Sequence, residues 1–292
     1  MPNQPMRTRE VNRSMARTGV LLAVILAVLL VGAPRATAGK YDLDMTRLYL
    51  FDAGNEQTPD QNFKGLMGDL GVALAPRFLG PATTLGALGF QIAFDYSMTN
   101  IPENADHWKT VMTDPAGNGK GADSFLSTMH LHVRKGLPFS AEVGGTFSKL
   151  FDSDMWGVGF EFKYSALEGF LYLPEISFRA SVSTYLGSRD YTLLTAGGDV
   201  VVSKKIGIVG LFKVAPYVGY NFMYIHGGSN VVLLFNPNNA GIAEQRVFQT
   251  AHVFKHFAVL GFQLVSTIVN TGFEASITEG MQTYSFRLGV EF

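Results

Sequence analysis

The sequence predicts an all-β protein, a transmembrane antiparallel up-and-down β-barrel of about ten strands preceded by a short amphipathic helix. Three observations predict it. Segments of about ten residues alternate apolar with small or polar side chains, the pattern of a strand with one lipid face and one lumen face. Beyond residue 38, no apolar run approaches the roughly 20 residues that a spanning helix needs. The chain also ends on an alternating segment that stops at an aromatic, Tyr284-Ser-Phe-Arg-Leu-Gly-Val-Glu-Phe292.

Composition agrees with this class. The 292 residues are 47% apolar and 12% aromatic but only 16% charged, with 32 glycines, and the mean hydropathy of +0.15 is far below that of a helical membrane bundle. Strands in lipid are tolerated only when closed into a barrel, because an open edge leaves N–H and C=O groups without partners. The absence of cysteine excludes a disulfide framework, a thiolate metal site and a lipid-modified cysteine. No basic excess points to nucleic acid or another polyanion.

Residues 1–38 read as a signal peptide. Arg7, Arg9, Arg13 and Arg17 form its basic region, Gly19 to Gly32 its apolar run, and Ala36-Thr37-Ala38 a small-residue cleavage triplet, so that Gly39 becomes the first mature residue. Removing this leader takes five arginines and one glutamate from a formal net charge of −1, leaving an acidic remainder.

Residues 84–292 carry the barrel. Leu88, Phe90, Ile92, Phe94 and Tyr96 alternate with Gly89, Gln91, Ala93, Asp95 and Ser97. Met129, Leu131 and Val133 alternate with His130, His132 and Arg134. The same alternation runs through Trp156–Ser165, Ile176–Ser183, Val218–Tyr224 and Gly272–Ile277, and more weakly through 141–150, 191–203 and 255–265. Aromatics recur at the strand ends, where amphipathic rings favour the membrane–water interface. A soluble sandwich would also alternate, but its water-facing side would carry more Lys, Glu and Thr than these glycine- and serine-rich faces do.

On the last strand Tyr284, Phe286, Leu288, Val290 and Phe292 share one face. This segment resembles the C-terminal assembly signal of bacterial outer-membrane β-barrel proteins, porins among them. The resemblance covers nine residues and implies a Gram-negative outer-membrane location. It also implies outer-membrane lipid, the barrel-assembly machinery and periplasmic chaperones as partners. With Phe292 at the periplasmic rim, the turns can be assigned backwards. Glu279-Gly280, 227–246, Gly187–Asp190, Asp152–Asp154 and 99–123 fall outside; Ser266–Val269, Ser203–Lys213, Leu167–Pro174 and Lys135–Phe139 fall inside. The longest loops then lie outside, as bacterial barrels prefer.

Residues 39–83 stand apart as a periplasmic or lumen-plug segment. Phe63, Leu66, Met67, Leu70 and Leu74 recur at helical spacing up to Pro76, predicting a helix over 62–75 in the lumen or under the periplasmic mouth. The competing reading makes Tyr41–Phe51 and Leu70–Arg77 two more strands, giving twelve; helical spacing favours ten.

Alternation assigns twelve ionisable residues to the lumen: Asp95, His130, His132, Arg134, Glu142, Glu161, Lys163, Arg179, Lys255, Glu274, Arg287 and Glu291. They either line a water path and bias its solutes, or cross-pair and close it. Ten strands sit near the size at which side chains fill a barrel. The expectation is therefore a narrow or gated porin-like channel, with a non-conducting barrel presenting outside loops as its rival. His130 and His132 share a face, but a metal needs a further ligand that the sequence does not supply, and polar lumen filling accounts for both. The acidic residues match no omptin-type protease pattern. No serine has a recognisable base, as a phospholipase-type barrel would require. No enzyme activity and no cofactor are expected, with a lipid- or peptide-hydrolysing barrel standing as the third reading. Pro115–Asp123 is glycine-rich but lacks the end of a phosphate loop. The apolar run within 231–242 reads first as a hairpin extension.

Overall fold

The computed structural model describes residues 39–50, 58–113, 121–170, 172–208, 212–235 and 243–292. The expected leader, residues 115–120 of the glycine-rich run and residues 236–242 lie outside them. The helices are α1 (Thr46–Leu50), α2 (Pro59–Leu74) and α3 (Asp106–Met112). The strands are β1 (Phe90–Asn100), β2 (Phe125–Leu137), β3 (Ala141–Leu150), β4 (Trp156–Leu167), β5 (Glu175–Leu186), β6 (Tyr191–Ser203), β7 (Ile206–Ile208), β8 (Phe212–Ser229), β9 (Val232–Phe235), β10 (Ala243–Arg246), β11 (Ala251–Ser266), β12 (Val269–Thr278) and β13 (Met281–Glu291).

Ten of these strands, β1–β6, β8 and β11–β13, form a closed antiparallel barrel. Sequence neighbours pair, and β13 returns to β1 in register from Gln91↔Glu291 to Thr99↔Thr283. Two further bonds finish the seam: Phe90 N–H donates to Phe292 O at 2.7 Å, and Phe292 N–H to Phe90 O at 2.9 Å. Closure removes every edge that lipid would leave unsatisfied. The twelve-strand alternative fails because 46–50 and 59–74 are helical, so neither N-terminal stretch joins the wall. β7 folds back along β8, and β9 pairs with β10 as a small separate hairpin.

One rim carries both ends of the barrel, Phe90 and Phe292; the other carries the connections 101–124 and 230–250. Tight turns of positive φ join neighbouring strands. Phe139 and Ser140 take φ of 62° and 54° between β2 and β3, the primed turn that matches strand twist, and Gly280 takes φ of 73° between β12 and β13. Phe94, Phe160, Phe178, Val218, Leu260 and Leu288 are among the large apolar side chains on the outer face. Trp156, Tyr164, Tyr220 and Phe292 lie among them or at its margins. Among the described residues, no helix is long and apolar enough to cross a membrane.

The lumen is occupied. α2 begins at a capping box, with Thr58 Oγ1 accepting from Gln61 N–H and Gln61 Oε1 accepting from Thr58 N–H, and Pro59 stands at its first position. Its buried residues run without interruption from Leu66 to Leu74, so the helix is enclosed on all sides. Two glycines permit the close fit: a Cβ at Gly71 would lie 2.6 Å from Ile225 Cγ2 on β8, and one at Gly227 would lie 2.4 Å from Met67 Cγ on α2. Residues 75–89 then run on as an extended strap to the terminal rim and β1. Of the two placements expected for residues 39–83, the described part of the segment takes the lumen. Residues 39–50 lie at the long-loop rim, where Tyr41 N–H donates to Asp152 O and Met45 N–H to Asp190 Oδ2, and residues 58–83 pass through the barrel.

Candidate functional site

The candidate site is the lumen, and its wall has two chemistries. Near the long-loop rim, β6, β8 and β11 turn Leu193, Met223, Ile225 and Phe257 inward, with Val201 and Val259 deeper in the wall. A water-filled pore would not be walled this way. α2 places Phe63, Leu66, Met67, Leu70, Val72 and Leu74 in this seat, all at 0% exposure. At about 1.5–3 kcal/mol per fully buried side chain, six amount to on the order of 10 kcal/mol. Asp69 on α2 is buried as well, accepting from Trp108 Nε1 of α3 at 2.8 Å, with His107 Nε2 also 2.8 Å from the same oxygen. The first long loop is thereby tied to the helix. Phe63 stacks on Phe248 of the other long loop at 5.0 Å, and Gln249 N–H donates to Asp60.

Midway down, the wall becomes charged and forms one continuous belt. Asp95 receives both Arg287 Nε and Nη2 at 2.6 Å across the β1–β13 seam, with His132 Nδ1 3.3 Å away. His132 Nε2 lies 2.8 Å from Glu161 Oε1, which also takes Arg134 Nε at 2.9 Å. Arg179 bridges Glu161 at 2.9 Å and Asp199 at 2.7 Å, and Asn221 donates to the other oxygen of Asp199. Lys163 stands 3.8 Å from Glu142. Buried charges persist only when paired and hydrogen-bonded in this way.

The belt also grips the strap. Arg179 donates to Arg77 O, Arg134 to Phe78 O, Arg287 to Leu79 O, and Lys163 to Pro81 O and Thr83 O. In the other direction Leu79 N–H donates to Glu274, Ala82 N–H to Ser203, Thr84 N–H to Glu168 and Leu85 N–H to Glu142. An extended chain has no internal partners for its N–H and C=O groups, and here the wall supplies them. Arg77 closes the joint above, donating to the carbonyls of Val72 and Ala73 at the end of α2. Below the strap, an open cavity of about 280 Å³ at the terminal rim is lined by Thr84, Gln91, Lys205, Lys213, Gln263 and Glu291, among others.

At the two ends of the segment, titratable groups outside the strands feel their surroundings. Burial, ahead of its contacts with Asp123, pushes the Tyr41 hydroxyl up to about 12, and it donates to Asp123 at 3.0 Å. Burial alone would raise Glu168, but hydrogen bonds from Ser140 and from Thr84 N–H and Oγ1 outweigh it and hold this carboxyl below its usual range.

Of the twelve lumen residues read from alternation, ten are buried inside the barrel: Asp95, His130, His132, Arg134, Glu142, Glu161, Lys163, Arg179, Glu274 and Arg287. Glu291 sits half-buried at the terminal rim, taking Gln91 Nε2 at 3.1 Å and Asn270 Nδ2 at 3.2 Å. Lys255 is half-buried in the apolar seat and does not join the belt. His130 and His132 do not converge. His130 Nδ1 bonds Ser148 Oγ at 2.8 Å and its Nε2 meets Thr128, so no carboxylate orients it, while His132 belongs to the belt. Among the described residues no group of three or more His, Cys, Asp or Glu side chains could hold a metal ion. Asp199, Tyr217, Asn221, Arg77 and Glu168 were not foreseen. On the last strand Tyr284, Phe286, Leu288, Val290 and Phe292 take the outer face, and Ser285 and Arg287 the inner.

Neither a protein-family model nor a curated protein matches the chain. Solved structures similar to it are outer-membrane β-barrels. Ail, the attachment invasion locus protein of Yersinia pestis, is 12% identical, covering 70% of this chain and 99% of its own, with a TM-score of 0.26. The KdgM porin in complex with oligogalacturonate is 9% identical over 69% of this chain and 98% of its own, at 0.32. The β domain of the Bordetella autotransporter BrkA is 11% identical over 70% and 99%, at 0.35. These likenesses are too distant to argue from. What the chain shows for itself is a β-barrel of the membrane-spanning kind: ten closed strands, an apolar exterior with aromatic margins, and a seam closed between β1 and β13.

Proposed function

We propose that the protein is a self-plugged outer-membrane barrel, closed to solutes at rest, that presents its N-terminal residues and two long loops at the outer face. Long loops lie outside in bacterial barrels, which puts the rim holding Gly39 there. One observation carries the reading. The wall charges that would line a water path are spent on each other and on the strap's backbone, while the apolar part of the wall is filled by α2. A path opens only if residues 58–84 withdraw, against a cost of order 10 kcal/mol for the helix alone. A narrow or gated channel is therefore the second reading, and it needs a stimulus that meets that cost.

Planar-bilayer conductance decides between them. The chain has no cysteine, so Gly68→Cys with Val253→Cys gives a clean lock; a Cβ at Gly68 lies 3.5 Å from Val253 Cγ1, within disulfide reach. Closure in both the reduced and oxidised protein is the expected result. Conductance that vanishes on oxidation establishes a gated channel. Conductance in both states reveals a path beside the plug and ends the closed reading.

A further inference from the structure

At the long-loop rim, β1, β2 and the end of β3 carry three outward rings, Tyr96, Phe125 and Phe151, which are 39%, 43% and 44% exposed. An interfacial aromatic belt accounts for the rings alone. It does not account for the carboxylates beside them. A cavity of about 230 Å³ is lined by these rings together with Tyr41, Ser127, Asp123 and Asp152. Its two acids differ. Asp123 is satisfied, its Oδ1 pairing with Lys40 Nζ at 2.7 Å and its Oδ2 accepting from Tyr41 Oη at 3.0 Å. Asp152 has its backbone fixed, with Tyr41 N–H donating to its carbonyl at 2.8 Å. Among the described residues, no hydrogen bond or ion pair takes its carboxylate.

We infer that this cavity binds a small organic cation, a quaternary or methylated ammonium ion. Aromatic rings attract a cation through their quadrupole, and most strongly one that sheds its water easily. The molecule already uses this chemistry at the cavity's edge, where Lys40 Nζ stands 5.6 Å over the Tyr41 ring while paired with Asp123. The walls are held before any ligand arrives. Tyr96 Oη is 3.0 Å from Ser127 Oγ, and Phe151 N–H donates to Ser127 O at 3.0 Å. The Tyr96 and Phe151 rings lie 6.1 Å apart at 69°, so they adjoin at an angle instead of stacking. The count of acceptors selects the cation. A primary ammonium brings three donors and holds its water strongly, but with Asp123 taken the cavity offers one free carboxylate. An alkylated ammonium has few donors or none, so one carboxylate and several rings suffice. The volume lies below the roughly 300–1,000 Å³ of pockets for larger ligands, which suits a small headgroup.

The test is titration of the full chain with choline, followed by saturation-transfer difference NMR. The protein is refolded in a nonionic maltoside detergent, so that no charged headgroup competes. The neutral carbon isostere of choline, in which tert-butyl replaces trimethylammonium, is titrated alongside. Choline should bind saturably and about 10-fold more tightly than the isostere. Phe151→Leu keeps apolar bulk but removes a ring; it should weaken choline binding about 5–10-fold and move the isostere by less than about 2-fold. Asp152→Asn should weaken choline about 2–5-fold and leave the isostere unchanged. Each variant's migration as a folded barrel in unheated gels keeps loss of the site distinct from loss of fold. No saturable choline binding, an isostere that binds as tightly as choline, or a choline affinity unmoved by both Phe151→Leu and Asp152→Asn overturns the inference.

Discussion

The two halves of the lumen hold one segment by opposite means. Towards the long-loop rim the wall is apolar and encloses a helix whose own backbone groups are already paired. Towards the terminal rim the wall is charged and encloses an extended strap whose backbone groups need partners. Each wall matches what its occupant lacks. The helix brings hydrocarbon and requires shape; the strap brings bare N–H and C=O groups and requires donors and acceptors. The belt is therefore read better as a backbone-binding surface than as a selectivity filter. That distinction has mutational consequences, because an apolar seat loses stability in proportion to what is removed, whereas a paired charge belt fails when one partner goes.

The largest effect is expected in the belt. Asp95→Ala leaves Arg287 buried without its carboxylate at the β1–β13 seam and should cost about 3–5 kcal/mol in urea unfolding of the vesicle-refolded protein. Replacing the pair together, Asp95→Leu with Arg287→Met, should recover most of that loss, because a buried ion pair is often no more stabilising than well-packed apolar residues. Failure of the double variant to recover would mean that Arg287's bond to Leu79 O, rather than its charge pairing, is what the seam requires.

The apolar half should respond more locally. Leu70→Ala removes a fully buried side chain from α2 and should cost about 2–4 kcal/mol. The loss should appear as faster amide exchange in 59–74 while the strands stay protected. Equal loosening of β6, β8 and β11 would show instead that helix and wall unfold as one unit, and the two halves would then be less independent than their chemistries suggest.

Much of this lumen was legible because period-two alternation is a strong rule. It placed Asp95, Glu161, Arg179 and Arg287 inward, and the terminal strand ordered the turns. What it did not reveal has physical reasons. Alternation says which way a side chain points, not what it meets, so a belt that binds backbone looked the same as a belt that lines water. Arg77 lies in an aperiodic strap broken by Pro76, Gly80 and Pro81, where no pattern exists to read. Two signals were present and carried more than was drawn from them. Thr58-Pro-Asp-Gln61 is a capping box that starts the helix at Pro59, ahead of its first apolar residue. Met223, Ile225, Phe257 and Val259 put apolar residues on the lumen face of strands already apolar outside, which a lumen tolerates only when something apolar fills it.

The smallest expected effect lies where the strap leaves the belt and sharpens the contrast through pH. Glu168, just beyond β4, accepts from Thr84 N–H at 2.8 Å, and its carboxyl is held below the usual range. A carboxyl whose pKa is depressed by folding contributes stability that is fully present above its unfolded value, about 4.3, and is lost as pH falls through the lower folded value. Acid should therefore loosen the terminal end of the strap, where Glu168 holds Thr84. Glu168→Gln should lower stability slightly at neutral pH and flatten the dependence below about pH 4.3. The readout is the difference in melting temperature between wild type and variant from pH 6 to pH 3, since the other carboxylates titrate in both and cancel. A difference that does not shrink on acidification would mean that Glu168 acts by shape alone and that the strap's lower end is held by Lys163 and Ser203.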